Sequence, residues 1–279
     1  MLTYTTSRNL LGKLSSDSSS DNLTILDTLH NEFIRETISV KPWPFRDKTR
    51  TFSTNTANIH YLPADCGKVN TITVTIGSTK YTPKIIRDRE TWDRLTQSTT
   101  TSNTPENVFV FDNFFSFYPA PASATTDAGL ISFKRSQKDL SIADYTTGTI
   151  VSIANGATTV TGSGTSWTSQ MAGRYIRITD SNTANTGDGA WYEISSVTSA
   201  TVLELVVAYS GTSISAGSAT YTIGQTSIIP EDFQMVPLHR TLEHYFTFIQ
   251  PEEERADRAK ALYAEGLKRM TAECGSNSI

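Results

Sequence analysis

The chain has 279 residues, 37% of them hydrophobic and 19% charged, with a formal net charge of −4. That length allows one large domain or two small ones around a buried core, and the excess of Thr, Ser and Asn suits β-rich surfaces and turns. The acidic balance excludes a protein that grips nucleic acid through an overall Lys/Arg surplus, and Cys66 and Cys274, without CxxC or Cys/His spacing, exclude a disulfide framework or zinc site.

The opening MLTYTTSRNLLGKL has no apolar run of signal-peptide length. No later stretch approaches the ~20 apolar residues of a membrane span, so the expectation is a soluble chain with no membrane partner. TYTTSRNLLGKL reads as a short amphipathic helix, followed by the cap-rich linker SSDSSSD. Asp21 or Ser20 can cap a second helix whose apolar side is Ile25, Leu26, Leu29, Phe33, Ile34 and Ile38. Lys41-Pro42 ends it, because the residue before a proline is pushed out of the α region. KPWPFRD (41–47) then concentrates two prolines and two aromatics, which reads as a core plug rather than a groove.

From 43 to 135 the pattern alternates apolar and polar residues, as strands with one buried face do. Gly77-Ser78 and Asp112-Asn113 are hairpin turns, and DRETWDRL is one short helix capped by Asp88 that packs Trp92 and Leu95. Residues 146–226 differ in composition: Gly, Ser and Thr dominate and no helical period appears. Short strands (GTIVSI, TTVTG, RYIRIT, AWYEISSV, TVLELVV, ATYTIG) recur between the turn signals Asn155-Gly156, Asp188-Gly189 and Ser210-Gly211. Helices then return. Pro237 and Pro251 stand at first turns; Leu238, Leu242, Tyr245, Phe246 and Ile249 line one helix, and Ala259, Leu262, Tyr263, Gly266, Leu267 and Met270 the next. The expected fold is α+β. A helical bundle from the N- and C-terminal helices carries a small β region and an inserted all-β domain of immunoglobulin-like sandwich type. The expected domains are a core of 1–145 and 227–279, with the insert at 146–226.

No catalytic constellation emerges. TGSGTSWTSQMAGRYIRI (161–178) has three glycines, yet Gly162 and Gly164 lead to Thr165, Ser166 and Trp167 with no lysine, so a hairpin turn explains them better than a phosphate loop. His239 and His244 are five apart and do not share a helix face as metal ligands would; HExxH is absent. Asp180, Asn182, Asn185 and Asp188 superficially resemble a calcium loop, but Trp191 stands where the bidentate Glu belongs. There is no GxSxG. The expectation is no enzyme, no cofactor and no metal.

The chain resembles the head–tail adaptor (connector) proteins of tailed bacteriophages. The resemblance is carried by MLTYTTSRNLLGKL and LHNEFIRETISVKPWPFRDKTRTFST for the N-terminal helices and their exit. It continues in IHYLPADCGKVNTITVTIGSTKYTP with RETWDRL, and in FFSFYPAPA with ISFKRSQKDLSIADY. IIPEDFQMVPLHRTLEHYFTFIQ and AKALYAEGLKRM are similar to the closing helical hairpin. The insert from GTIVSI to TYTIGQ resembles a β module of phage structural proteins; compact adaptors lack one of this size. The resemblance implies a ring, usually of twelve copies, beneath the portal protein, through which DNA passes during packaging and ejection without specific binding. It implies the portal and the next tail component (nozzle or stopper) as partners, a virion location at the head–tail interface, and synthesis in the host bacterial cytoplasm. It also implies that Glu273, Cys274, Gly275, Ser276, Asn277, Ser278 and Ile279 reach into the portal. Glu252, Glu253, Glu254 and Asp257 are candidates for an acidic channel lining, against the simpler reading of a solvated helix face. The competing reading is a tail or fibre-associated protein whose insert binds a host glycan through Trp167, Trp191, Tyr192 and Tyr209, unless those aromatics fill the β core.

Overall fold

Two helices begin the chain in the computed structural model, which describes residues 1–98, 100–179, 187–215 and 217–275, with 127 and 128 as backbone only. α1 (Tyr4–Ser15) is capped by Thr3, whose hydroxyl accepts from the Thr6 amide at 3.2 Å, and it ends at Ser16 in the left-handed region. α2 (Ser20–Ser39) stops two residues before Lys41-Pro42, as the proline demands. It buries Leu26, Phe33, Ile34 and Ile38, but Ile25 is 42% exposed and the polar Asn22, His30 and Thr37 are buried in its place.

The chain divides into two compact units, one formed by Met1–Val40 with Asp139–Glu273, the other built on Lys41–Lys138. The second holds β1 (Asp47–Thr54), β2 (His60–Tyr61), β3 (Cys66–Ile76), β4 (Thr79–Tyr81), β5 (Lys84–Ile86), α3 (Arg89–Leu95), β6 (Asn107–Phe111), β7 (Phe114–Tyr118) and β8 (Thr125–Arg135). Two four-stranded sheets result, ordered β1-β8-β3-β4 and β2-β7-β6-β5. Their apolar faces share one core of Val69, Ile72, Val108, Phe115, Phe117 and Phe133. The hairpin turns fall where the sequence places them: Ile76 pairs with Thr79 around Gly77 (φ 62°), and Phe111 with Phe114 around Asp112 (φ 49°). Asp88 caps α3 by accepting from the Thr91 amide at 2.7 Å, and Trp92 stacks on Phe109 at 5.2 Å. Trp43 is fully buried and stacks on Phe45, a plug as expected.

In the first unit, β9 (Thr149–Ser152), β10 (Thr159–Ser163), β11 (Tyr175–Ile178), β12 (Trp191–Ser199), β13 (Val202–Leu205) and β14 (Tyr221–Gly224) are ordered β14-β11-β12-β13-β10-β9. Antiparallel bridges Tyr145↔Ile223, Ile150↔Ala219 and Ile153↔Ile214 then pair the segment around β9 with the segment that runs into β14. The pairing closes on itself, where an immunoglobulin-like sandwich keeps two separate sheets; closure pairs end segments that would otherwise be edges. Inside lies a core of its own, including Ile150, Val160, Trp167, Ile176, Leu203 and Ile223. Gly162 of TGSG abuts this core, since a Cβ there would lie 2.8 Å from the Trp167 ring, and the exposed Gly164 makes the turn at φ 65°.

This barrel is tied to α1, since the Tyr4 amide donates to the Gln225 carbonyl at 2.8 Å and Thr3 bridges Thr226. α4 (Met235–His244) packs Leu238 and Leu242 with Leu11 and Leu26. It runs into one π turn, Tyr245–Ile249, in which the Gln250 amide donates to the Tyr245 carbonyl. α5 (Glu253–Cys274) begins two residues after Pro251. Gly266 lets α5 approach α4 closely: a Cβ there would lie 2.9 Å from Val236.

Candidate assembly surfaces

α5 is twenty-two residues long, yet only Ala259 and Met270 on it are buried. An ordinary amphipathic helix buries a stripe of apolar residues along its length. Here arginines help to hold it instead. Arg255 lies 4.0 Å over the Phe246 ring, pairs with Glu252 at 3.2 Å and donates to the Leu14 carbonyl. Arg240, on α4, lies over both Phe33 and Tyr263 and pairs with Glu36 and Glu243. Arg269 covers Phe233. Most of the helix surface is left facing water.

The four candidate lining acids divide by role. Glu252 is held by Arg255, whereas Glu253, Glu254 and Asp257 are exposed and have no ion pair among the described residues. Glu252, Glu253 and Asp257 border an open groove of about 490 Å³ together with His244, Phe248 and Lys260. Phe248 is 67% exposed, and Ile249, expected on the buried side, is 47% exposed. The π turn is the reason: one extra residue in the turn rotates the residues after it off the apolar face. Of the seven candidate portal contacts, Glu273 pairs with Arg269 at 3.1 Å, and Cys274 and Gly275 are half-buried. Ser276, Asn277, Ser278 and Ile279 lie outside the described residues.

A second surface escaped the reading of overall composition. The segment Lys41–Lys138 carries thirteen Lys/Arg against eight Asp/Glu, a balance of +5, and the rest of the chain eleven against twenty, −9. The cations gather at one end of the β1-β8-β3 sheet. Lys134 stands in register between Asp47 and Lys68; Lys48 and Arg50 both reach Asp65; Arg46 donates to the Arg135 carbonyl. The Arg87 guanidinium joins them by donating to the Val69 carbonyl at 2.9 Å. Charge counted by segment, rather than over the chain, is the signal that finds this patch.

The side chains weighed for chemistry have structural neighbours. The His244 ring lies between Phe33 and Phe248, at 5.4 and 4.7 Å. His239 is partly buried, which lowers its pKa. Asp188 accepts from the Tyr192 hydroxyl; Asp180, Asn182 and Asn185 lie outside the described residues. Among the described residues no cluster of three or more His, Cys, Asp or Glu could hold a metal, and no helix is long and apolar enough to cross a membrane. Trp167, Tyr192 and Tyr209 are buried in the barrel core, which removes three of the four aromatics that motivated glycan binding; Trp191 is half-buried.

The described residues thus combine a closed β module, a helical bundle and a long helix left mostly in water. The family model described as SU10 adaptor protein matches residues 3–277, and the chain belongs to that family of phage adaptor proteins. None of the curated proteins matches the chain.

Proposed function

We propose that the protein is a head-to-tail adaptor of the virion, forming a ring, twelve copies around, beneath the portal and extending the channel through which DNA passes in packaging and ejection. In this reading 1–145 and 227–279 form the adaptor core and 146–226 an inserted β module. Glu273 to Ile279 reach the portal, and the opposite side of the ring receives the nozzle or stopper. The subunits are made in the host cytoplasm. Membership of the adaptor family over nearly the whole length carries the proposal. One feature supports it: α5 spends few apolar contacts on its own subunit, which leaves its faces for neighbours in the assembly.

Electron microscopy of the protein mixed with its portal tests this. A ring of uniform order stacked on the portal is the expected result. A protein that never associates with the portal and stays monomeric or trimeric removes the reading.

A further inference from the structure

A closed ring joins copies head to tail, so every copy needs two different surfaces that fit each other. The chain carries such a pair in its charges. The Lys41–Lys138 unit is basic by +5 while the rest of the chain is acidic by −9. Resting on the ring reading, we infer that the basic end of the β1-β8-β3 sheet of one copy docks against the start of α5 in the next.

The detail of each patch favours a second copy over DNA as the occupant. At the basic end, much of the charge is consumed within the unit, Lys48 and Arg50 by Asp65 and Lys134 by Asp47. Lys68 and Arg87 are exposed and have no acidic partner among the described residues. A face that holds duplex DNA neutralises about six to ten phosphates, more than Lys68 and Arg87 can serve even with the half-buried Arg46 and Arg135, which are spent on backbone carbonyls. Glu253, Glu254 and Asp257 form an acidic set of matching size, clustered within two turns at the start of α5. Their charge also complements the positive end of the α5 dipole, and among the described residues none of the three forms an ion pair with the neighbouring Arg255, Arg258 or Lys260. Patches of this kind set register and partner choice more than raw affinity, which suits a contact repeated identically around a ring.

The test is a charge swap in the full-length chain, with assembly followed by mass photometry and electron microscopy, alone and on the portal. One variant carries Glu253→Lys, Glu254→Lys and Asp257→Lys; the other carries Lys68→Glu and Arg87→Glu. Each alone is expected to assemble at least about tenfold more weakly than wild type. An equimolar mixture is expected to recover rings, because alternating copies restore opposite charges at every contact. Circular dichroism and melting of each variant confirm that both are folded. Wild-type assembly should also weaken as salt rises from about 50 mM to about 500 mM, where screening shortens the reach of exposed charges. Folded variants that each assemble like wild type, or that fail to recover on mixing, overturn the pairing. If wild type itself makes no ring, alone or on the portal, the ring reading falls and this pairing with it.

Discussion

His30 sits on the α2–α4 contact, and its surroundings dictate its protonation. The Thr241 hydroxyl donates to the Pro237 carbonyl at 2.8 Å, so its oxygen must accept from the His30 Nδ1–H at 3.3 Å. Burial lowers the His30 pKa from 6.5 to about 4. A folded-state pKa below the unfolded one means that, as pH falls through 6.5, the unfolded chain takes up a proton that the folded chain refuses. Stability is therefore complete above pH 6.5 and declines towards pH 4, by a few kcal/mol at most for a shift of this size (about 1.4 kcal/mol per unit). Urea midpoints at neutral pH and near pH 4.5 should differ clearly less for His30→Gln than for wild type; equal differences would mean that His30 does not govern the acid response. Gly129 is constrained by the ring opposite it. It stands opposite Phe52 across β1 and β8, and a Cβ there would lie 2.0 Å from a ring that also packs on Phe115. Gly129→Ala should cost about 1–3 kcal/mol by displacing that ring, read as a lower melting temperature. An unchanged melting temperature would show that the ring moves aside freely.

Elements differ in how legible they are. The strands of the barrel, the Gly77 and Asp112 turns and the Asp88 cap arise from alternation and local turn chemistry, which act over a few residues and are written in the sequence. The apolar faces of α2 and the α4 region are legible only in part. Periodicity marks an apolar side, but not that Asn22, His30 and Thr37 find partners and are buried while Ile25 is not. The His30 partner is Thr241, 211 residues away, and no local pattern encodes it. The π turn is equally silent in the sequence, so Ile249 is misplaced by a count that assumes 3.6 residues per turn. The candidate acids Glu253, Glu254 and Asp257 are legible as an exposed cluster in the first two turns of α5, whereas the basic patch needs the register of β1, β8 and β3 to bring its cations together. The mode of holding α5 has a measurable consequence. Arg255→Ala removes its stacking over Phe246, its pair with Glu252 and its bond to the Leu14 carbonyl at once. A loss of about 1–2 kcal/mol is expected there. Hydrogen exchange should quicken about tenfold or more in the first turns of α5 and stay unchanged in the barrel strands. Exchange quickened throughout would mean that α5 is not a separately opening element.

At the scale of the whole molecule, a test of portal attachment must remove the tail without disturbing what α5 does for its own subunit. The place of the cut decides this. Met270 is fully buried, one of only two buried residues on the helix, so a chain ending at Arg269 loses an anchor as well as the tail. Burying a Met side chain contributes about 1.5–3 kcal/mol, enough to fray the end of a helix held as sparsely as this one. A chain ending at Glu273 keeps Met270 and the Arg269–Glu273 pair, and gives up only the last six residues. That shorter deletion is expected to melt within a degree or two of wild type, since exposed end residues contribute little. It is expected to form the same rings and to lose stable attachment to the portal. Comparing the two deletions separates the roles: lost attachment with unchanged melting assigns portal contact to the tail, whereas wild-type attachment by the chain ending at Glu273 moves that contact to the exposed face of α5 or to another surface of the ring.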